Sequence, residues 1–106
     1  MKTIKSKQDF ERVFRGGRRV NHPVVRVSAL RLEDSGEARI AYVAPKRIGN
    51  AVCRNRCKRV LRAAAREAHF PPEGYEVILF STAATRTASS GEVAAALAKL
   101  ARRLGA

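Results

Sequence analysis

The sequence predicts one α+β domain of two layers, a small mixed β-sheet of about four strands carrying three helices in the order α-β-β-β-α-β-α. Three observations lead there. Apolar residues recur at helical spacing in three separate segments, alternate with polar residues between the first two, and fill a short, nearly uninterrupted run between the last two. A chain of 106 residues with 45% hydrophobic content has room for a single core, so residues 1–106 are expected to form one domain.

The elements follow in order. Phe10, Val13 and Phe14 stand at i, i+3 and i+4, with Ser6 and Asp9 at the start and Gly16-Gly17 at the end, which marks a helix of two to three turns. Residues 18–32 alternate. Val25, Val27 and Ala29 share one face of a strand beginning near Val24, Arg26, Ser28 and Leu30 lie on the other, and a short extra strand precedes Pro23. The polar cluster at 33–37 reads as a turn and residues 38–44 as a second β-prone run, so these two strands are expected to pair as a hairpin.

Pro45 stops that strand, and Asn50 is a good N-cap for a helix opening at Ala51 and ending near His69. On a helical wheel Cys53, Val60, Leu61, Ala64 and Ala68 lie within about 60° of Cys57 and make an apolar face. Asn55, Arg59, Arg62 and Arg66 fall opposite, with Arg56 and Lys58 on the flanks. Arg54 sits at the edge of the apolar face, placed to reach outward or to meet a backbone carbonyl. Residues 75–80 form a well-covered strand, which makes a β-α-β unit around the basic helix, and residues 81–88 a polar loop. Ser89 and Glu92 have capping-box spacing for a last helix that carries Val93, Leu97, Leu100 and Leu104 on one side, with Gly105 beyond its end.

The 22 Lys and Arg outnumber 9 Asp and Glu, a formal net charge of +13. Such an excess repels itself within a folded chain and attracts polyanions. It is also concentrated: nine of the basic residues fall between Arg39 and Arg66, a stretch without Asp or Glu. On an ordinary solvated helix, acids at i, i+4 would offset them. Arginine dominates, and its planar fork pairs with phosphate oxygens and stacks on bases, which favours nucleic acid. A membrane-surface helix would carry bulky Leu, Phe or Trp where this one has Ala, Cys and Val with one Leu, so no membrane partner is expected. No zinc-finger spacing or basic-zipper pattern marks a reader of duplex DNA.

No run approaches the ~18 apolar residues of a membrane span, and the N-terminus lacks a signal-peptide core, so a soluble, cytoplasmic chain is expected. Cys53 and Cys57, one helical turn apart on the apolar face, read as core residues and neither as a disulfide nor as a metal pair. His22 and His69 are isolated and the acidic residues form no evident metal cluster, so neither a catalytic nor a metal-binding residue is assigned to the chain.

One segment resembles a known family. Lys46-Arg47-Ile48-Gly49-Asn50-Ala51-Val52-Cys53-Arg54-Asn55-Arg56-Cys57-Lys58-Arg59-Val60-Leu61-Arg62 is similar to the signature of the bacterial ribonuclease P protein component, including its Arg-Asn-Arg core, and residues 7–17 are similar to that family's N-terminal helix. The resemblance implies a protein subunit that assembles with a catalytic RNA, binds precursor tRNA and promotes removal of its 5′ leader. It places the active site and its Mg²⁺ in the RNA, and calls for no obligate protein partner. It also assigns Arg54, Asn55, Arg56, Lys58, Arg59 and Arg62 to the catalytic RNA. The wheel adds Arg66, and the exposed N–H groups of the helix start add Lys46 and Arg47 as phosphate contacts. The family's second surface is a cleft for the single-stranded leader, to which Phe10, Phe14, Val25 and Val27 correspond. Two departures stand out: Val27 replaces an aromatic of some members, and Phe80-Ser81-Thr82 stand where some carry basic residues. Phe10 and Phe14 at i, i+4 also suit a core pair, and the direction of their rings separates the two readings. A structural RNA-binding protein of a ribosome-like assembly is the alternative function; a DNA-binding accessory protein is a third.

Overall fold

Each helix begins where the sequence supplies a cap. In the computed structural model, which describes residues 2–33 and 37–105, helix α1 (Lys7–Gly16) starts at Ser6, whose hydroxyl accepts the Asp9 N–H at 3.0 Å. Asn50 caps α2 (Ala51–Glu67) by accepting the Cys53 N–H at 2.9 Å. Ser89 and Glu92 form the expected capping box of α3 (Ser90–Arg103). Two glycines are required by space. A Cβ on Gly17 would stand 2.5 Å from the Val13 carbonyl oxygen and 2.9 Å from Ser28 Oγ, where the end of α1 meets the sheet. Gly49 has a φ of 151°, and a Cβ there would lie 3.0 Å from Cys53 Sγ at the entry to α2.

The sheet has five strands in the order β1-β4-β5-β3-β2: β1 (Lys2–Thr3), β2 (Arg18–His22), β3 (Val25–Arg31), β4 (Arg39–Val43) and β5 (Tyr75–Ser81). The extra strand before Pro23 is present as β2, and it forms an antiparallel hairpin with β3 in which His22 faces Val25. The addition to the expected four is β1, two residues long and parallel to β4, too short to leave a periodic signal.

The expected hairpin between the strands on either side of residues 33–37 does not form. Its turn lies partly outside the described residues, but the strands themselves are separated: β5 enters between them, antiparallel to β3 and parallel to β4. The reason is burial. Val77, Ile78 and Leu79 are consecutive and all fully buried, so β5 needs cover on both faces and a neighbour on both edges, which only a central position provides. The β4-α2-β5 connection is the expected β-α-β unit.

Alternation along the strands sends side chains to two faces. Val20, Val25, Val27, Ala29, Ile40, Val77 and Leu79 meet Leu61, Ala64, Leu97 and Leu100, so α2 and α3 cover one face and form the main core. The two-layer reading covers these alone; α1 adds a third layer, because Val13 and the Arg12–Glu76 ion pair seat it on the opposite face. Helix α1 lies on the other face, over Ser28, Glu76, Ile78 and Phe80, and Ser28 Oγ donates to the Val13 carbonyl at 3.0 Å. Cys57 is fully buried with Ala44 and Ile48, Cys53 packs beside it, both thiols are free, and burial pushes the Cys57 thiol up from its ordinary pKa.

Candidate nucleic-acid interface

The basic residues of α2 separate into anchored and outward-facing groups. Arg54 Nε donates to the Ala44 carbonyl at 3.0 Å, the backbone contact that its place at the edge of the apolar face allows. Arg56 Nη1 donates to the Arg86 carbonyl at 2.7 Å, at the end of the 3-10 turn Ala83–Arg86, and Arg86 in turn donates to the Ile48 carbonyl at 3.3 Å. The two arginines of the Arg-Asn-Arg core therefore join the start of α2 to the segments that follow β4 and β5. Each guanidinium keeps further N–H donors beyond these bonds. Anchoring fixes where their charge stands, so less side-chain entropy is lost when a phosphate is met.

Asn55, Arg59, Arg62 and Arg66 are exposed on the outer side of the same helix, with Lys58 partly buried on its flank. Lys46 and Arg47 are exposed on a single 3-10 turn, Lys46–Ile48, that leads into the helix. All nine predicted contact residues for RNA thus lie on α2 and the turn before it. Arg39 counts among the basic cluster by sequence but stands elsewhere in space. Its guanidinium lies on the α1 face of the sheet, 3.2 Å from Asp9 Oδ2 and 2.6 Å from Glu76 Oε2. Arg86 is a basic residue that sequence reading missed at this surface; the Ile48 carbonyl that ties it to the start of α2 is 38 residues away, and no local pattern marks it.

The second surface lies between α1 and the sheet. Val13 takes the buried position of the helix, and this leaves Phe14 at the surface, 38% exposed. Phe10 stacks on Phe14 with ring centroids 6.3 Å apart, and Phe14 tilts against Phe80 at 5.9 Å, so three rings run from α1 onto β5. The Arg19 guanidinium stands 4.8 Å above the Phe14 ring. Val25 and Val27 do not belong to this cleft. They are 0% and 1% exposed in the core beneath α2 and α3, on the far face of the sheet. The strand was placed correctly and the face was not: Arg26 and Ser28, the alternate positions, face α1, and Arg26 lies opposite Phe80 in register. Arg19, Arg26 and Phe80 are the cleft residues that the sequence reading left out.

Helix α1 is held over the sheet by charge. Glu76, 1% exposed on the central strand, lies 2.6 Å from Arg12 of α1 and 2.6 Å from Arg39 of β4. Asp9, one turn before Arg12, closes the network on Arg39, and the Ser6 hydroxyl, followed by Arg39 and Arg12, holds its carboxyl below the usual carboxylate range.

The family model described as Ribonuclease P matches residues 1–105 of the sequence. The chain belongs to the ribonuclease P protein family. Its similarity to the ribonuclease P protein component of Gluconacetobacter diazotrophicus is 35% identity over 104 residues, covering 96% of this chain and 90% of that one. The component from Coprothermobacter proteolyticus is 42% identical over 77 residues, 72% of this chain and 62% of its own. Among solved structures the ribonuclease P protein of Staphylococcus aureus superposes with a TM-score of 0.78 at 20% identity, covering 99% and 95% of the two chains. That of Thermotoga maritima gives 0.79 at 19% identity, with 97% of each chain covered. At these identities the structures establish the shared fold.

A ribonuclease P protein is the protein component of an endoribonuclease that acts in tRNA 5′ maturation together with an RNA subunit. Among the described residues of this one, no group of three His, Cys, Asp or Glu is placed to hold a metal ion, and no helix is long and apolar enough to cross a membrane.

Proposed function

We propose that this ribonuclease P protein docks on the catalytic RNA through the outer face of α2 and the turn before it, and that the cleft between α1 and the sheet receives the single-stranded 5′ leader of precursor tRNA. The observation that carries the reading is the separation of the two surfaces. Cations without acids among them occupy the outer side of the helix on one face of the sheet, and a partly exposed aromatic row occupies the other. A molecule built this way can hold the RNA with one side and present the leader with the other.

On the docking side Lys46, Arg47, Arg59, Arg62 and Arg66 meet phosphates directly, Asn55 adds a hydrogen bond, Lys58 contributes from the flank, and Arg54 and Arg56 act from their anchored positions. On the leader side Phe10, Phe14 and Phe80 offer ring faces to bases of any sequence, and Arg19 and Arg26 supply charge for the backbone. Mg²⁺ supplies activated water and stabilises the attacking and leaving oxygens in such a hydrolysis. Among the described residues no acidic cluster would hold that ion, and Asp9 and Glu76 beside the cleft are neutralised by Arg12 and Arg39. Metal and cleavage chemistry therefore belong to the RNA, and the protein contributes binding and orientation. The enzyme in this reading is a cytoplasmic assembly of one RNA with this single-domain chain and no further obligate protein.

Phe14→Ala tests the leader surface. Loss of one stacking platform should weaken binding of precursor tRNA to the assembled enzyme by about 1–3 kcal/mol and leave mature tRNA, which lacks a leader, unchanged. Equilibrium binding of both substrates by the same variant holoenzyme is the check. Equal losses for the two would remove Phe14 from the leader path.

A further inference from the structure

Residues 81–88 read from the sequence as a polar loop, and the structure folds them against the start of α2. Thr85 is fully buried and its hydroxyl donates to the Val24 carbonyl at 2.6 Å, while Ala88 belongs to the core beneath α2 and α3. Arg86 ends the 3-10 turn between them and is exposed. Its guanidinium is nevertheless fixed in place: Nε donates to the Ala83 carbonyl and Nη1 to the Ile48 carbonyl, each at 3.3 Å. Arg56 reaches the same turn from α2, with Nη1 2.7 Å from the Arg86 carbonyl.

All of these acceptors are neutral. A carbonyl orders a guanidinium without cancelling its charge, whereas the charges of Arg12 and Arg39 are offset by Asp9 and Glu76. Among the described residues no carboxylate lies within ion-pair distance of Arg86, Arg56, Lys46 or Arg47. One buried group feels two of these charges: burial raises the Cys57 thiol, and Arg56 and Arg86 both oppose the rise. The junction of the two 3-10 turns with α2 is therefore cationic, ordered and without a counter-charge. Two of the five Arg86 N–H groups are engaged, and those that remain can make the paired bonds a guanidinium forms with two phosphate oxygens.

Continuity identifies the anion. Arg56 belongs to the docking helix, and the Ile48 carbonyl held by Arg86 ends the turn that carries Lys46 and Arg47. We infer that Arg86 binds a backbone phosphate of the catalytic RNA beside those met by Arg56 and the Lys46–Ile48 turn, so that the docking surface extends from α2 onto the turn after β5. The inference rests on the docking of α2 onto that RNA. Because the side chain is ordered beforehand, little rotamer entropy is lost when the phosphate arrives.

Ethylnitrosourea, which alkylates phosphate oxygens, tests the contact on the holoenzyme reconstituted from the full chain and the ribonuclease P RNA of the same organism. Precursor tRNA is bound, either RNA is end-labelled, and the protein is held at saturation. The wild-type protein should protect a set of phosphates in the catalytic RNA. Arg86→Ala should expose only the phosphate it contacts and leave the others covered. Arg86→Lys keeps the charge and loses the hold on two carbonyls, and it should keep that phosphate protected. In a salt titration Arg86→Ala should flatten the slope of log affinity against log salt by about 0.7–0.9, a loss of about five- to eightfold in affinity at about 0.1 M salt, while Arg86→Lys retains the wild-type slope. Footprints of Lys46→Ala and Arg47→Ala mark the phosphates that belong to the neighbouring turn. If Arg86→Ala exposes those as well, or if lysine fails to keep the protection, Arg86 only fastens the turn and the phosphate contact is overturned. An Arg86→Ala footprint identical to the wild type overturns it too, and a phosphate exposed in precursor tRNA instead of the catalytic RNA overturns the assigned partner. Each of these results leaves docking through α2 standing. A wild-type protein that protects no phosphate of the catalytic RNA would overturn docking and contact together.

Discussion

Replacing Arg59 and Arg62 together by alanine should lower affinity for the catalytic RNA by roughly ten- to a hundredfold at moderate salt, with the fold retained. Both side chains are exposed on the outer side of α2. Arg62 has one internal role, its contact with the Tyr42 ring, and losing it at an exposed site costs only about 0.5–1 kcal/mol of stability. The sharper signature is the salt dependence. Each phosphate neutralised contributes about 0.7–0.9 to the slope of log affinity against log salt, so the double variant should flatten that slope by about 1.5. A salt titration of the wild type and the variant reads both numbers. Arg54 and Arg56 are poorer test positions, because removing either also releases a loop carbonyl from its donor. An unchanged slope would move the RNA site away from α2.

Glu76→Ala should produce the largest loss of stability among single substitutions at charged positions. Breaking a buried ion pair costs about 3–5 kcal/mol when the remaining charge stays buried. Here Arg12 and Arg39 remain, with side chains 47% and 29% exposed, and water reaches them in part, so about 3 kcal/mol is expected. Against a typical net stability of about 5–15 kcal/mol that is a large fraction. It corresponds to a fall in melting temperature of about 10–20 °C for a chain of this size. Glu76→Gln keeps the volume and one acceptor and should lose less. The network also ties α1 to the sheet, so both variants should weaken precursor tRNA binding through the cleft while the α2 surface still binds the catalytic RNA. Thermal unfolding followed by circular dichroism, alongside the two binding measurements, separates these effects. A melting temperature within a few degrees of the wild type would show that α1 is held by packing alone.

What could be read from the sequence was whatever is decided locally. Ser6, Asn50 and Ser89 announce their helices because a cap bonds to an N–H three residues on. The sides of α2 follow from its 3.6-residue period, including the edge position from which Arg54 reaches a carbonyl. Pairing of strands is a different matter. The polar segment at 33–37 carries the chemistry of a turn, yet whether its flanking strands pair depends on β5, some forty residues later, whose burial demands the central place. Glu76 was visible as one acid in an apolar run, but its partners Arg12 and Arg39 are distant in sequence and become neighbours only once α1 crosses the sheet. The misplacement of Val25 and Val27 has the same origin. Alternation divides β3 into two faces without stating which one α1 covers, and the family likeness pointed to the strand alone. Arg26 and Phe80 carry no local sign of each other, and only the register of β3 with β5 sets them side by side.

The two surfaces have a common origin in the β-α-β unit. Placing β5 in the centre leaves α2 and α3 on one face and gives α1 the other, so a cationic helix and an aromatic row stand on opposite sides of one sheet. The excess of positive charge is divided accordingly. Most of the acid-free stretch stands on α2, while Arg39 is neutralised within the fold and Arg19 and Arg26 stand on the α1 face beside the aromatic rings.

The most direct measurement is the rate of precursor tRNA cleavage by the catalytic RNA at low Mg²⁺, with and without this protein. If the chain docks through α2 and guides the leader, adding it should raise the rate, and the gain should shrink for the Arg59→Ala, Arg62→Ala double variant and for Phe14→Ala. A rate that does not change on addition of the protein, at concentrations where it is bound to the RNA, would contradict the assignment.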